Sequence, residues 1–244
     1  MRPTFILAVI LVAAPLMTLH AEEPAAKKCS RLIDEGKKLL ILVQDDSTRA
    51  PELKQNIRSA FEVCRGDGVP AELVSRSYIL WANDQPHDRR ENRATILREG
   101  LERLERSEGL DSPAILQLLD HLASEYAAHG ETRAEGRAMF ERGLTIRRRS
   151  YGEFSEEAAI GVFYLGSVDQ AVGSDALAEK RYREAAAIAA KACGDRRPCE
   201  TLGWVLSTTA TLIRNTPGRL TEAEALEERA AEASRDPQRK KKKR

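Results

Sequence analysis

Three side chains in one short stretch have the types and spacing for chemistry. His121, Glu125 and His129 are each four residues apart. In a helix that spacing places all three on one face, where two imidazoles and a carboxylate are potential ligands for a divalent metal. Asp120, His121 and Ser124 also supply the residue types of a hydrolytic triad. Their context disfavours both readings. Adjacent Asp120 and His121 point about 100° apart on a helix, and no strained turn or oxyanion loop accompanies them. The H-x3-E-x3-H pattern arises readily in polar helices, and His129 beside Gly130 simply complements a helix C-terminus. Most acidic residues neighbour a base, as in Glu102-Arg103 and Glu141-Arg142, the pattern of solvated helix faces rather than acid–base dyads. No phosphate-cradling glycine motif follows a strand. The expectation is a chain that is not an enzyme and uses no metal or cofactor.

The four cysteines carry a different chemistry, and the N-terminus sets their compartment. Residues 1–21 combine Arg2, an apolar run from Phe5 to Ala14 and a small-residue site ending at Ala21, the three parts of a secretory signal. The run is too short for about 30 Å of hydrocarbon, and Pro15 interrupts it. No twin arginine or lipid-attachment cysteine is present. The expected location is therefore periplasmic or secreted, where an even cysteine count reads as disulfides. A hairpin of two helices, about 25–43 and 49–65, folded near Asp46 brings Cys29 and Cys64 to the same end. Cys193 and Cys199 bracket the short loop CGDRRPC.

These groups must be positioned by helices. Windows such as Ile115–Ala128 and Ala176–Lys191 are Ala- and Leu-rich, with apolar residues at three- and four-residue spacing. No stretch alternates long enough for a strand. Breakers divide the mature chain into about ten helices joined by short turns. They are also periodic. Gly66, Gly109, Gly152 and Gly194 form one series, and Gly130, Gly173 and Gly218 an interleaved one, both with a period near 43 residues. Two series of one period describe a two-helix repeat, hence an all-α solenoid of antiparallel helix pairs.

The residues also resemble a known family. Leu119–Gly130 (LDHLASEYAAHG) looks like the first helix of a tetratricopeptide repeat. Gly173–Ala186 and Gly218–Ala230 look like the turn and second helix, and Tyr164-Leu165-Gly166 begins another first helix. The long period resembles the kinesin-light-chain-like subtype. Ala123 and Gly166 then fall where paired helices touch, while Asp169 departs from the usual tyrosine. The resemblance implies a protein-interaction module whose first helices line a concave groove for a peptide or protein ligand, in envelope assembly or secretion. On that alignment Gln117, Asp120, His121 and Ser124 face the groove from one repeat, and Phe163, Tyr164, Ser167 and Gln170 from the next. Trp81 and Trp204 read as packing residues.

The chain thus divides into a signal peptide (1–21), N-terminal helical hairpins with a weak repeat match (22–92), tetratricopeptide-like repeats (93–234) and a disordered basic tail (235–244). The RKKKKR end carries +6 and Arg2 +1, so the rest of the chain, at −6, is mildly acidic. A general nucleic-acid-binding surface is not expected. The tail is a candidate for contact with an anionic surface, the alternative being a tethered structural protein.

Overall fold

The computed structural model describes residues 23–85, 90–196 and 198–235. The signal peptide and nearly all of the basic tail lie outside the described residues. Among the described residues ten α-helices follow one another: α1 (Ala25–Asp45), α2 (Ala50–Cys64), α3 (Ala71–Asn83), α4 (Arg90–Glu108), α5 (Leu116–Ala127), α6 (Arg133–Tyr151), α7 (Glu156–Ala171), α8 (Asp175–Cys193), α9 (Glu200–Arg214) and α10 (Leu220–Ala233). Short 3-10 turns precede α2 and α5, and no strand occurs among the described residues. None of the described helices is long and apolar enough to cross a membrane.

Local chemistry sets the boundaries. Ser155 accepts the Ala158 amide at 3.0 Å and caps α7, whose first turn carries Glu156 and Glu157 against the helix dipole. Gly152 ends α6 at φ 95° and Gly194 ends α8 at φ 52°, backbone conformations that a side chain would oppose. Gly109, Gly173 and Gly218 also have positive φ, whereas Gly66 and Gly130 do not. Gly68 takes the left-handed position after α2 instead.

Each helix packs on the next, as short connections require. In addition α1 touches α3, α3 touches α5 and α7 touches α9, while no two even-numbered helices come as close among the described residues. The odd helices therefore lie on the inner side of a curved array and the even helices outside. This is an all-α solenoid of helix pairs. Small residues permit the close approach within pairs: a Cβ at Gly136 would meet the α5 backbone at Ala127 N, 2.5 Å away, and one at Gly166 would meet the Tyr182 ring at 2.8 Å.

The core runs along the array in three clusters. One joins Cys29, Leu32, Ile33, Ala60 and Cys64 of α1–α2. A second is built from α2 to α6 around Phe61, Tyr78, Leu104 and Leu118. The largest spans α5 to α10 around Phe140, Phe163, Tyr182 and Ile213. Cys29 and Cys64 form a disulfide across the open end of the first hairpin, and Cys193 and Cys199 form another between α8 and α9.

Candidate functional site

The inner helices α5, α7 and α9 differ from the rest of the surface in having almost no exposed charge in their middle turns. Gln117, His121 and Ser124 stand exposed on α5, Gln170 is exposed on α7, and Ile160, Tyr164 and Ser167 are half-buried. On α9, Trp204 is 43% exposed. Its ring lies 3.9 Å from Phe163, centre to centre, and 6.5 Å from Tyr164. Tyr164 in turn stacks on Phe140 at 5.0 Å, and Phe163 on Tyr182 at 4.9 Å. The result is an aromatic ridge that rises from the core between α7 and α9 and ends in a half-open indole. Trp204 both packs and presents a face, whereas Trp81 stacks on Phe61 at 5.4 Å and is partly covered.

Two of the eight residues assigned to the groove sit beneath its surface. Phe163 is buried in the ridge. Asp120 is buried and pairs with Arg147 of α6, itself buried. The space for that pair comes from Gly143, one turn before Arg147: a Cβ there would lie 2.9 Å from the guanidinium Nη1. Desolvation raises the Asp120 carboxyl, and Arg147 opposes that shift. The same guanidinium lies 5.9 Å from the Tyr164 ring centre. Burial also raises the Tyr164 phenol, with the Asp120 charge acting in the same direction. Ser167 and Gln170 both serve Tyr182, whose hydroxyl lies 3.3 Å from Ser167 Oγ and donates to Gln170 Oε1 at 2.8 Å.

Asp169, in the place of the expected tyrosine, is 1% exposed and receives two guanidiniums. Arg137 reaches it from α6, and Arg181 from α8 at 2.5 Å. One carboxylate thus ties α7 to an outer helix on either side. Tyr126 occupies the equivalent site one repeat earlier and accepts from Arg98 of α4. Sequence reasoning missed Arg137, Arg147 and Arg181, because a basic residue on a polar helix looks like solvated surface. The available signal was Asp169 itself, an acid in an otherwise apolar position.

The metal-type trio does not converge. Glu125 pairs with Arg93 of α4 at 2.9 Å, which directs its carboxylate toward the neighbouring hairpin. His121 remains at the exposed face, its imidazole lowered by desolvation against the pull of Glu125. His129 lies in the turn after α5. Among the described residues the one group of three donors within 4.8 Å of each other is Glu156, Cys193 and Cys199, and there both sulfurs are spent in the disulfide. Asp120 and Ser124 do not form a relay either, since Ser124 donates to the Asp120 carbonyl at 2.8 Å.

The outer helices show the opposite surface. Arg142 pairs with Glu105 across α6 and α4 at 2.7 Å, and Arg183 with Glu222 across α8 and α10 at 2.5 Å. Arg219 grips Glu179 through two contacts of 2.7 Å. These pairs join consecutive outer helices and leave the inner face free of competing charge.

No family model and no curated protein matches the chain. Among solved structures it is similar to BtubC (BKLC) from P. vanneervenii, whose crystal structure aligns with a TM-score of 0.55 at 18% sequence identity. The alignment covers 86% of this chain and 89% of that chain. At this identity the likeness establishes a shared helical-repeat fold.

Proposed function

We propose that the chain is an exported, non-enzymatic interaction module that holds a peptide segment of a protein partner along the inner face of α5, α7 and α9. The observation that carries this reading is the aromatic ridge ending in the half-exposed Trp204, set among middle turns of α5, α7 and α9 that expose almost no charge. An exposed indole backed by Phe163 offers an apolar anchor that loses little entropy on binding. Gln117 and His121, exposed on α5, offer hydrogen bonds to a peptide backbone. The absence of lysine or arginine among these inner residues argues against a clamp for a terminal carboxylate. The favoured ligand is a segment with apolar and uncharged polar side chains, drawn from a partner in envelope assembly or secretion.

The remaining parts of the reading rest on sequence. The 43-residue glycine spacing favours the kinesin-light-chain-like subtype, and the two disulfides favour an oxidising compartment such as the periplasm or the exterior. The test is a cross-linked capture from the native envelope fraction with the unaltered protein and with Trp204→Ala/His121→Ala. His121 is exposed, whereas Trp204 also packs on Phe163, so unchanged helical circular dichroism and a variant still folded at the capture temperature serve as the control. Loss of a captured protein in the variant supports the inner face. Equal capture by both sinks that assignment, and loss on removing residues 235–244 would transfer the contact to the basic tail.

A further inference from the structure

The apolar run Leu39–Val43 in the second half of α1 is not used up by its own hairpin. Opposite it, α2 presents Glu52, Gln55 and Asn56 in a shallow cleft of about 470 Å3. Leu40, Ile41 and Leu42 stay exposed, Ile41 by 64%. Elsewhere among the described residues exposed large apolar side chains occur singly along the chain, and scattered ones need no explanation. Ile41 and Leu42, both on the side of α1 turned away from its buried Leu32, Ile33 and Gly36, do. That helix packs against α2 and α3, so its outer side meets no other described helix.

The charges around the run select the occupant. Lys37 and Lys38 precede it, and Asp45 and Asp46 follow it. Lys38 lies three residues before Ile41 and Asp45 four after, so both share the face of Ile41. Lys37 has a weak contact with Asp34 at 3.3 Å, and the Asp46 carboxylate, just past the end of α1, accepts from the Thr48 amide at 3.1 Å and the Thr48 hydroxyl at 2.6 Å. Lys38 and Asp45 have no ion-pair partner among the described residues. A second α1 laid antiparallel, about a two-fold axis between Ile41 and Leu42, brings Lys38 opposite Asp45. The pair occurs twice. Ile41 and Leu42 of the two copies then fill the centre of the contact. A parallel copy would place lysine against lysine, a repulsion that fixes the direction.

We propose that this chain self-associates through the second half of α1, as an isologous antiparallel pair. The face is self-complementary in both its apolar centre and its charged ends, which no partner of single charge sign would match. The pair is small and belongs to the weak, reversible class of interfaces.

Sedimentation equilibrium of the purified protein tests it. A monomer–dimer equilibrium is expected, weakened more than about tenfold by Ile41→Asp. Lys38→Asp and Asp45→Lys should each weaken it on their own, since each sets like charges face to face. An equimolar mixture of those two variants should recover a heterodimer. All three positions are exposed, so unchanged helical circular dichroism and melting serve as the folding control. A monomer at about 0.1 mM chain overturns the proposal. So does a dimer indifferent to Ile41→Asp, or a variant mixture that stays monomeric.

Discussion

In the α1–α2 hairpin five buried residues form the local cluster, and past the close approach of Gly36 and Asn56 the apolar run Leu39–Val43 stays half-buried or exposed, with Leu53 buried beside it. A disulfide clamps the open end. The α5–α8 hairpins instead interleave Phe140, Phe163, Tyr164 and Tyr182, and carboxylates buried between helices fix their register through arginine. The same helix–turn–helix rhythm is therefore stabilised in two ways. Where few apolar side chains are buried, a covalent link limits the freedom of the unfolded chain. Where many are, directional ion pairs select one packing from several of similar apolar content.

Breaking the covalent side of that contrast should have the largest effect. The Cys29–Cys64 link closes a loop of 35 residues, worth about 4 kcal/mol on the chain-entropy account. Cys193–Cys199 spans 6 residues, worth about 2 kcal/mol. Reduction should loosen α1–α2 before α8–α9. Hydrogen exchange with and without reductant measures this, and equal protection of α1 in both conditions would refute the ranking.

Breaking the polar side should cost somewhat less. Asp120→Ala strands a buried guanidinium, a change expected to cost about 3 kcal/mol. The low end of the range applies because Asp120 Oδ1 and Arg147 Nη1 already lack hydrogen-bond partners. Replacing both residues, Asp120→Leu with Arg147→Met, should recover most of the loss, since an apolar pair fills the same space without an orphaned charge. Urea denaturation of the unaltered protein and the two variants decides it. A double variant as unstable as Asp120→Ala would mean that Gly143 and the neighbouring rings cannot accept an apolar pair.

The sequence showed the architecture because its signals repeat. Glycine spacing, Ala- and Leu-rich windows and the turn at Asp46 recur or are local, and the helices fall close to where they predict. The inner face was legible only in part. Placing Gln117 and His121 outward follows from helix periodicity. Asp120 and Phe163, however, are turned a little further toward the core, and that rotation depends on where α6, α8 and α9 pack. Asp169 was recognisable as a departure, yet its two partners lie 32 residues before and 12 after it, and no local rule connects them. The metal-type trio failed for the same reason: the partner of Glu125 is Arg93, on a different hairpin.

A smaller effect sharpens the contrast, because it concerns ion pairs that join hairpins at the surface. Glu179 of α8 accepts from Arg219 at 2.7 Å and from Arg183 at 2.8 Å. The Arg219 hydrogen bond is the main cause of a carboxyl lowered from 4.5 to about 2, with Arg183 adding to it and desolvation opposing. A carboxyl whose folded value is depressed contributes stability that is complete above its unfolded value and is lost as pH falls to the folded one. The window is therefore from about pH 4.5 down to about pH 2. Exposed arginines and mobile counterions hold the contribution to about 1 kcal/mol, well below that of the buried Asp120 pair. Glu179→Gln should remove this part of the acid dependence and leave stability at pH 7 lower by about the same amount. The check is denaturant unfolding across the window, with α9–α10 protection followed by hydrogen exchange. If the variant keeps the full acid dependence, other carboxylates carry it, and the α8–α10 contact is a surface pairing without energetic consequence.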